Sequence, residues 1–171
     1  SCGVDIPEEV VMAYDKLPKV IDYNIDIKPI ISDRCYQCHG PDEQTRAANL
    51  RLDNKDGLFQ KTENGSFPFV PGDLNNSEVI HRILSDDPEY MMPSPESNHK
   101  LSDYEKAAII KWVEQNGKWK EHWAFIPPEK SQLPASVVNW PQNNEIDLFI
   151  QEKLGRIGLK PSEEADKATL L

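Results

Sequence analysis

Apolar residues recur at helical spacing in separate stretches of the chain, with irregular, proline-rich sequence between them. In the first stretch, Ile27, Ile30 and Ile31 repeat at i, i+3 and i+4, and Cys35 continues the same face. Asp26 is the expected N-cap. Pro29 falls at the third helical position, where its missing N–H has no intrahelical partner to lose. Gly40-Pro41 ends this helix. A second helix is predicted over 75–84, with Val79, Ile80, Ile83 and Leu84 as its buried stripe and Asn76 or its neighbour as cap. A third begins at Ser102, where Ser102 and Glu105 form an S-x-x-E capping box. Ala108, Ile109, Trp112 and Val113 line one face of it, and Gly117 is the expected C-terminal stop. A fourth carries Ile146, Phe149, Ile150, Leu154 and Ile157, ending at Gly158.

The intervening sequence reads differently. Residues 41–76 lack helical periodicity; LRLD at 50–53 alternates briefly, and NGSFPFVPGD at 64–73 is rich in turn formers. Phe67, Phe69 and Val70 are its inward candidates, within loops and one short strand pair. In SDDPEYMMPSPES, 85–97, Pro88, Pro93 and Pro95 exclude both helix and central strand. Residues 1–22 read as a tether with one packed patch, VVMAY at 10–14. The pattern divides the chain into an N-terminal tether (1–22), a domain (23–120), and a connector with the start of a second domain (121–171). The connector KWKEHWAFIPPEKSQLPASVVNWPQN is studded with Trp119, Trp123 and Trp140. Three helices and long loops supply little apolar core for residues 24–117, so the helices need something apolar to pack around.

Composition narrows the classes. The chain has 171 residues, 38% of them hydrophobic and 28% charged, which fits a globular protein. Its 14 prolines agree with the loop-rich reading. The net charge of −10 leaves no basic footprint for nucleic acid. No apolar run approaches the roughly 18 residues of a membrane span. The chain has 3 cysteines. Cys2, ahead of a polar tether, has the placement of a lipidated cysteine, which would hold the protein on a membrane surface outside the cytoplasm. On that reading Ser1 replaces whatever preceded the cleaved bond.

The remaining two cysteines lie in CYQCHG, 35–40. A zinc site needs four ligands, and neither Cys2 nor the histidines at 81, 99 and 122 offer a second pair at suitable spacing. A thioredoxin-like dithiol expects a strand before the motif and a helix after it, whereas here a helix precedes it and a loop follows. Covalent haem attachment accounts for all three residues: two thiols form thioethers with the porphyrin vinyl groups, and the adjacent imidazole binds the iron. One haem c, with its iron, is therefore the expected cofactor, with Cys35, Cys38 and His39 holding it. It also supplies the missing core. Tyr36 and Gln37 read as spacers.

The other face of the iron needs a ligand. Met91 and Met92 lie in the proline-rich loop, and Met92 directly precedes Pro93, which stiffens the loop. Met92 is the preferred distal candidate, with Met91, His81, His99 and His122 as competitors. Arg51 is a candidate partner for a haem propionate, with Arg46 and Arg82 as alternatives. Trp112 is expected against the porphyrin from the third helix, with simple core packing as the equal alternative.

YNIDIKPIISDRCYQCHGPDEQTRAANLRLD, VPGDLNNSEVIHRI, MMPSPES and LSDYEKAAIIKWVEQNGKW resemble the planctomycete-type cytochrome c domain over about residues 20–120. The resemblance implies a mainly α, class I-like cytochrome c fold: three core helices and long loops around a covalent haem. It places haem on Cys35 and Cys38, His39 proximal and Met92 distal. Met91 stands where the family often has a charged residue. HWAFIPP and WPQNNEIDLFIQEKLGRIGLKPSEEADKATLL resemble the start of the domain that commonly comes next in large bacterial exported proteins. Two function classes stay open. One is a single-electron transfer module in the periplasm or at the cell surface, serving a redox partner or an attached domain, with no catalytic activity of its own. The other is a haem site with a labile distal ligand that binds gases or reacts with peroxide. A structural or carbohydrate-binding role rests only on Trp119, Trp123 and Trp140, which interdomain packing explains more simply.

Overall fold

The computed structural model describes residues 3–135, 140 and 142–169, with Trp123 described by its backbone alone. Cys2 lies outside the described residues. The architecture is mainly α, with no strand among the described residues. The helices are α1 (Glu8–Tyr14), α2 (Lys28–Arg34), α3 (Tyr36–His39), α4 (Lys55–Phe59), α5 (Glu78–Leu84), α6 (Asp103–Glu114) and α7 (Glu145–Arg156). The chain divides into two compact units, Ser1–Ile126 and Pro127–Leu171. The first takes in the segment read as a tether: α1 packs on α6, burying Val10 and Ala13. Tyr14 O–H donates to Glu114 at 2.6 Å, and the Gln115 side chain binds backbone groups of Lys19 and Ile21.

The helix ahead of the CYQCH motif starts earlier than expected. Asp22, not Asp26, is the cap: its carboxylate accepts from the Asn24 and Ile25 N–H groups, opening a π-turn over Tyr23–Ile27. Asp26 reciprocates by accepting from the Asp22 N–H at 2.8 Å. This is capping-box logic moved four residues upstream. Pro29 then sits in the first turn of α2 and Ile31 is buried. A break at Cys35 separates α2 from α3, which carries the histidine.

α6 is the spine of the first unit. The Ser102–Glu105 capping box forms as the sequence predicts. Ala107, Ala108, Ile109, Ile110, Trp112 and Val113 are all buried. Gly117 adopts a left-handed φ of 50° and donates its N–H to the Trp112 carbonyl, closing the helix. Trp112 lies in an aromatic cluster with Tyr23, Phe59 and Phe69, the last edge-on at 5.2 Å. Ser77 caps α5 and is fully buried: its hydroxyl accepts from the Val70 N–H and donates to the Asp73 carbonyl. The loop strand pair reduces to isolated bridges, Phe67 with Ser77 and Val70 with Asp73, and α4 is an additional short helix. Gly57 in α4 is pressed on the Arg51 carbonyl, where a Cβ would lie 1.6 Å away.

In the second unit α7 forms where predicted, but with a different face inward. Leu148 and Gln151 are buried, whereas Ile146 is 68% exposed and Ile150 54%.

Candidate functional site

The CYQCH segment is shaped almost entirely by backbone. Cys35 N–H donates to the Ile31 carbonyl at 2.8 Å, and His39 N–H to the Cys35 carbonyl at 2.8 Å. The Leu52 N–H returns to the His39 carbonyl at 2.8 Å, so the LRLD segment lies across the motif. Arg46 ties the turn after it, donating to the carbonyls of Gly40 and Pro41. Gly40 is required there: a Cβ would stand 2.3 Å from the Tyr36 carbonyl oxygen. Between these anchors Ala48 and Asn49 both take left-handed backbone, which brings the chain back over the histidine.

Cys35, Cys38 and His39 all border one cavity of about 320 Å³. That size falls within the roughly 300–1,000 Å³ of small-molecule pockets. Its walls include Ile31, Leu52, Phe69, Ile83, Leu101 and Ile109. The two thiols are unpaired, Cys35 partly buried and Cys38 exposed. Burial, with Cys38 adding to it, pushes the Cys35 thiol up to about 12, so it stays protonated. Burial lowers the imidazole of His39, against the carbonyls of Ala47 and Leu50 and with help from the Arg82 charge. A neutral imidazole is the form that binds iron. Its Nδ1 is enclosed and lacks a well-formed hydrogen bond.

Met92 also lines the cavity and Met91 does not. Met92 N–H donates to the Arg82 carbonyl at 3.0 Å, and Met91 N–H to the Asp87 carbonyl at 2.7 Å, so the two methionines are pinned to different supports. His99 also borders the cavity, with Nε2 2.8 Å from the Gln37 side-chain oxygen. His81 is directed to the Asn75 carbonyl, and the His122 ring accepts from the Ala124 N–H. Gln37 is thus more than a spacer. Tyr36 turns the other way and packs on the core, its phenol raised by burial.

Two expectations move. Arg51 does not line the cavity; its guanidinium is held by Asp53, with Nε 2.9 Å from one carboxylate oxygen. Arg82, named as an alternative, does line it, and so does Arg34. Trp112 is fully buried and is not a lining residue; it stands in the core among Tyr23, Phe59 and Phe69, and its indole N–H donates to the Lys118 carbonyl. Arg34 escaped the sequence reading, although its position directly before CYQCH is a signal. Glu78 was missed as well, despite its i, i+4 spacing to Arg82.

The residues fit a porphyrin. Two thiols, an imidazole and a thioether converge on an apolar pocket, and among the described residues no cluster of three or more His, Cys, Asp or Glu could hold a bare metal ion. A small all-α domain with this constellation belongs to the covalent haem proteins. Residues 35–96 match the family model described as Planctomycete cytochrome C, which supports a planctomycete-type cytochrome c domain in this part of the chain. Such domains are haem-binding electron-transfer modules that hold haem c covalently. No curated protein and no solved structure matches the chain. No helix among the described residues is long and apolar enough to cross a membrane.

Proposed function

We propose that the first unit carries one haem, attached through Cys35 and Cys38 and ligated by His39 and Met92, and that it passes single electrons to or from a docked partner or an attached domain. One observation carries the reading: Cys35, Cys38, His39 and Met92 border the same apolar cavity, while Met91 stands outside it. Cys35 and Cys38 would hold the haem as thioethers, each S–H adding across one vinyl double bond with no net oxidation, and His39 would be its imidazole ligand. Met92 supplies the soft sulfur ligand that favours the ferrous form and raises the potential relative to two histidines. The bound haem supplies the one-electron couple; the protein fixes its ligands and excludes water with Ile31, Leu52, Phe69 and Ile83. His99 borders the cavity too, but its Nε2 is engaged with Gln37, which favours sulfur as the distal donor.

Attachment of haem c takes place outside the bacterial cytoplasm, so the protein acts in the periplasm or at the cell surface. The acidic balance suits a basic redox partner. The test is protein matured by export: its pyridine hemochrome spectrum and intact mass should report one covalent haem. Met92→Ala should remove the far-red charge-transfer band of methionine-ligated ferric haem and lower the potential, and Met91→Ala should do neither. The opposite pair of results exchanges their roles, and tight cyanide binding by the unmodified protein favours a ligand-binding haem instead.

A further inference from the structure

The loop that bears Met92 carries a side-chain cluster that attachment and ligation leave unused. Four groups meet at its base. Arg82 Nε donates to Glu78 Oε1 at 2.8 Å within α5. The Tyr90 hydroxyl donates to the same oxygen at 3.1 Å. The Arg82 guanidinium lies 4.4 Å from the centre of the Tyr90 ring, and its Nη1 donates to the Tyr90 carbonyl at 3.3 Å. The Arg82 carbonyl accepts the Met92 N–H at 3.0 Å. Glu78 and Arg82 border the cavity beside Met92. One residue of α5 therefore grips the loop through its side chain at position 90 and through its backbone at position 92.

A thioether is a weak ligand on a flexible stem, and it competes with water and other donors for the iron. The loop around it has three prolines and contains no regular hydrogen-bonded ladder, so its position depends on such contacts. Hydrogen bonds to charged groups are about twice as strong as neutral ones, and an arginine over a tyrosine ring adds to them. Resting on the ligation proposed above, we infer that Arg82, Glu78 and Tyr90 are positioning residues for the distal sulfur: they hold the 85–97 loop so that Met92 stays over the iron and outside ligands stay off it.

The test uses the full chain, exported and carrying its haem. Arg82→Gln removes the cation, Arg82→Lys keeps the charge but loses the planar fork over Tyr90, and Tyr90→Phe removes only the hydroxyl given to Glu78. The mass added by haem and the hemochrome should be unchanged in all three, because none touches the attachment motif. The methionine charge-transfer band should be lost or strongly weakened in both Arg82 variants and reduced in Tyr90→Phe. Cyanide should bind about tenfold more tightly to Arg82→Gln, the equivalent of one charged hydrogen bond. A purely electrostatic role would shift the potential, leave the band, and let lysine replace arginine; that pattern overturns the inference. If Arg82→Gln does not accumulate, Tyr90→Phe decides: a full band and unchanged cyanide affinity overturn it. Unmodified protein that holds haem but lacks the band removes Met92 as ligand and the inference with it, whereas a normal unmodified protein with silent variants counts against the inference alone.

Discussion

The two sides of the cavity are built by different means. On the side of His39 the support is mostly backbone: turns of α2 and α3, the Leu52 N–H on the His39 carbonyl, and a glycine that lets the chain touch itself at position 40, with the Arg46 side chain added on the Gly40 and Pro41 carbonyls. On the side of Met92 the support is side chains of α5 reaching into a proline-rich loop, with one backbone bond to Arg82. Backbone support is insensitive to most substitutions, because every residue type offers the same groups. Side-chain support can be retuned one residue at a time. The side of the CYQCH motif is fixed by the chain's path, whereas the Met92 side can be retuned, which on the proposed ligation would adjust ligand affinity and potential.

The contrast can be broken most severely from behind. Trp112→Ala removes the ring on which Tyr23, Phe59 and Phe69 pack and should cost about 3–5 kcal/mol, measured by denaturant unfolding with haem attached; the methionine band should survive below the transition, since Trp112 is outside the cavity. Next, Gly40→Ala should cost at least about 2 kcal/mol and reduce the yield of haem-loaded protein, because the new methyl group meets the Tyr36 carbonyl and the backbone must shift. An equally stable variant with normal loading would show that the turn is more yielding than its geometry. Ser77→Ala leaves the buried Val70 N–H without its acceptor and should cost about 1–3 kcal/mol; thermal unfolding checks it, and α5 with its grip on the loop should loosen together with the band. The smallest effect belongs to Arg51. The Arg51 hydrogen bond, against some burial, holds the Asp53 carboxyl below its usual range. A depressed carboxyl stabilises the fold above its unfolded pKa of about 4. That contribution fades as pH falls through the lower folded value. Asp53→Asn should flatten the acid limb of a stability-against-pH curve below about pH 4 and leave the haem spectrum unchanged. A changed spectrum would return Arg51 to the cavity.

Much of this was legible in the chain. The C-x-x-C-H spacing leaves few chemical uses for its three residues, and Ser102 with Glu105 signals the start of α6 from local sequence alone. Met92 could be preferred over Met91 because Pro93 comes directly after it, and Met92 does border the cavity. Other features were beyond local reading. The cap of the segment before the motif is Asp22 rather than Asp26, since either aspartate satisfies the same short-range rule. The five apolar positions of the last helix suggest a buried face, yet Ile146 and Ile150 stand exposed, because periodicity shows that a face exists and not what covers it. Among the arginines of the first unit, sequence could not say which borders the cavity, as their shared chemistry suits propionate, carboxylate or carbonyl equally.

By itself, then, the sequence determined the C-x-x-C-H spacing that points to attachment, the Ser102 start of α6 and its stop at Gly117, because these depend on residues within a turn or two of one another. Only the tertiary structure decided that Arg51 is committed to Asp53, that Trp112 is core, and that Arg82 meets both Tyr90 and Met92. Such pairings depend on which of several equivalent side chains the fold brings within a few ångströms, and short-range patterns carry no record of that distance.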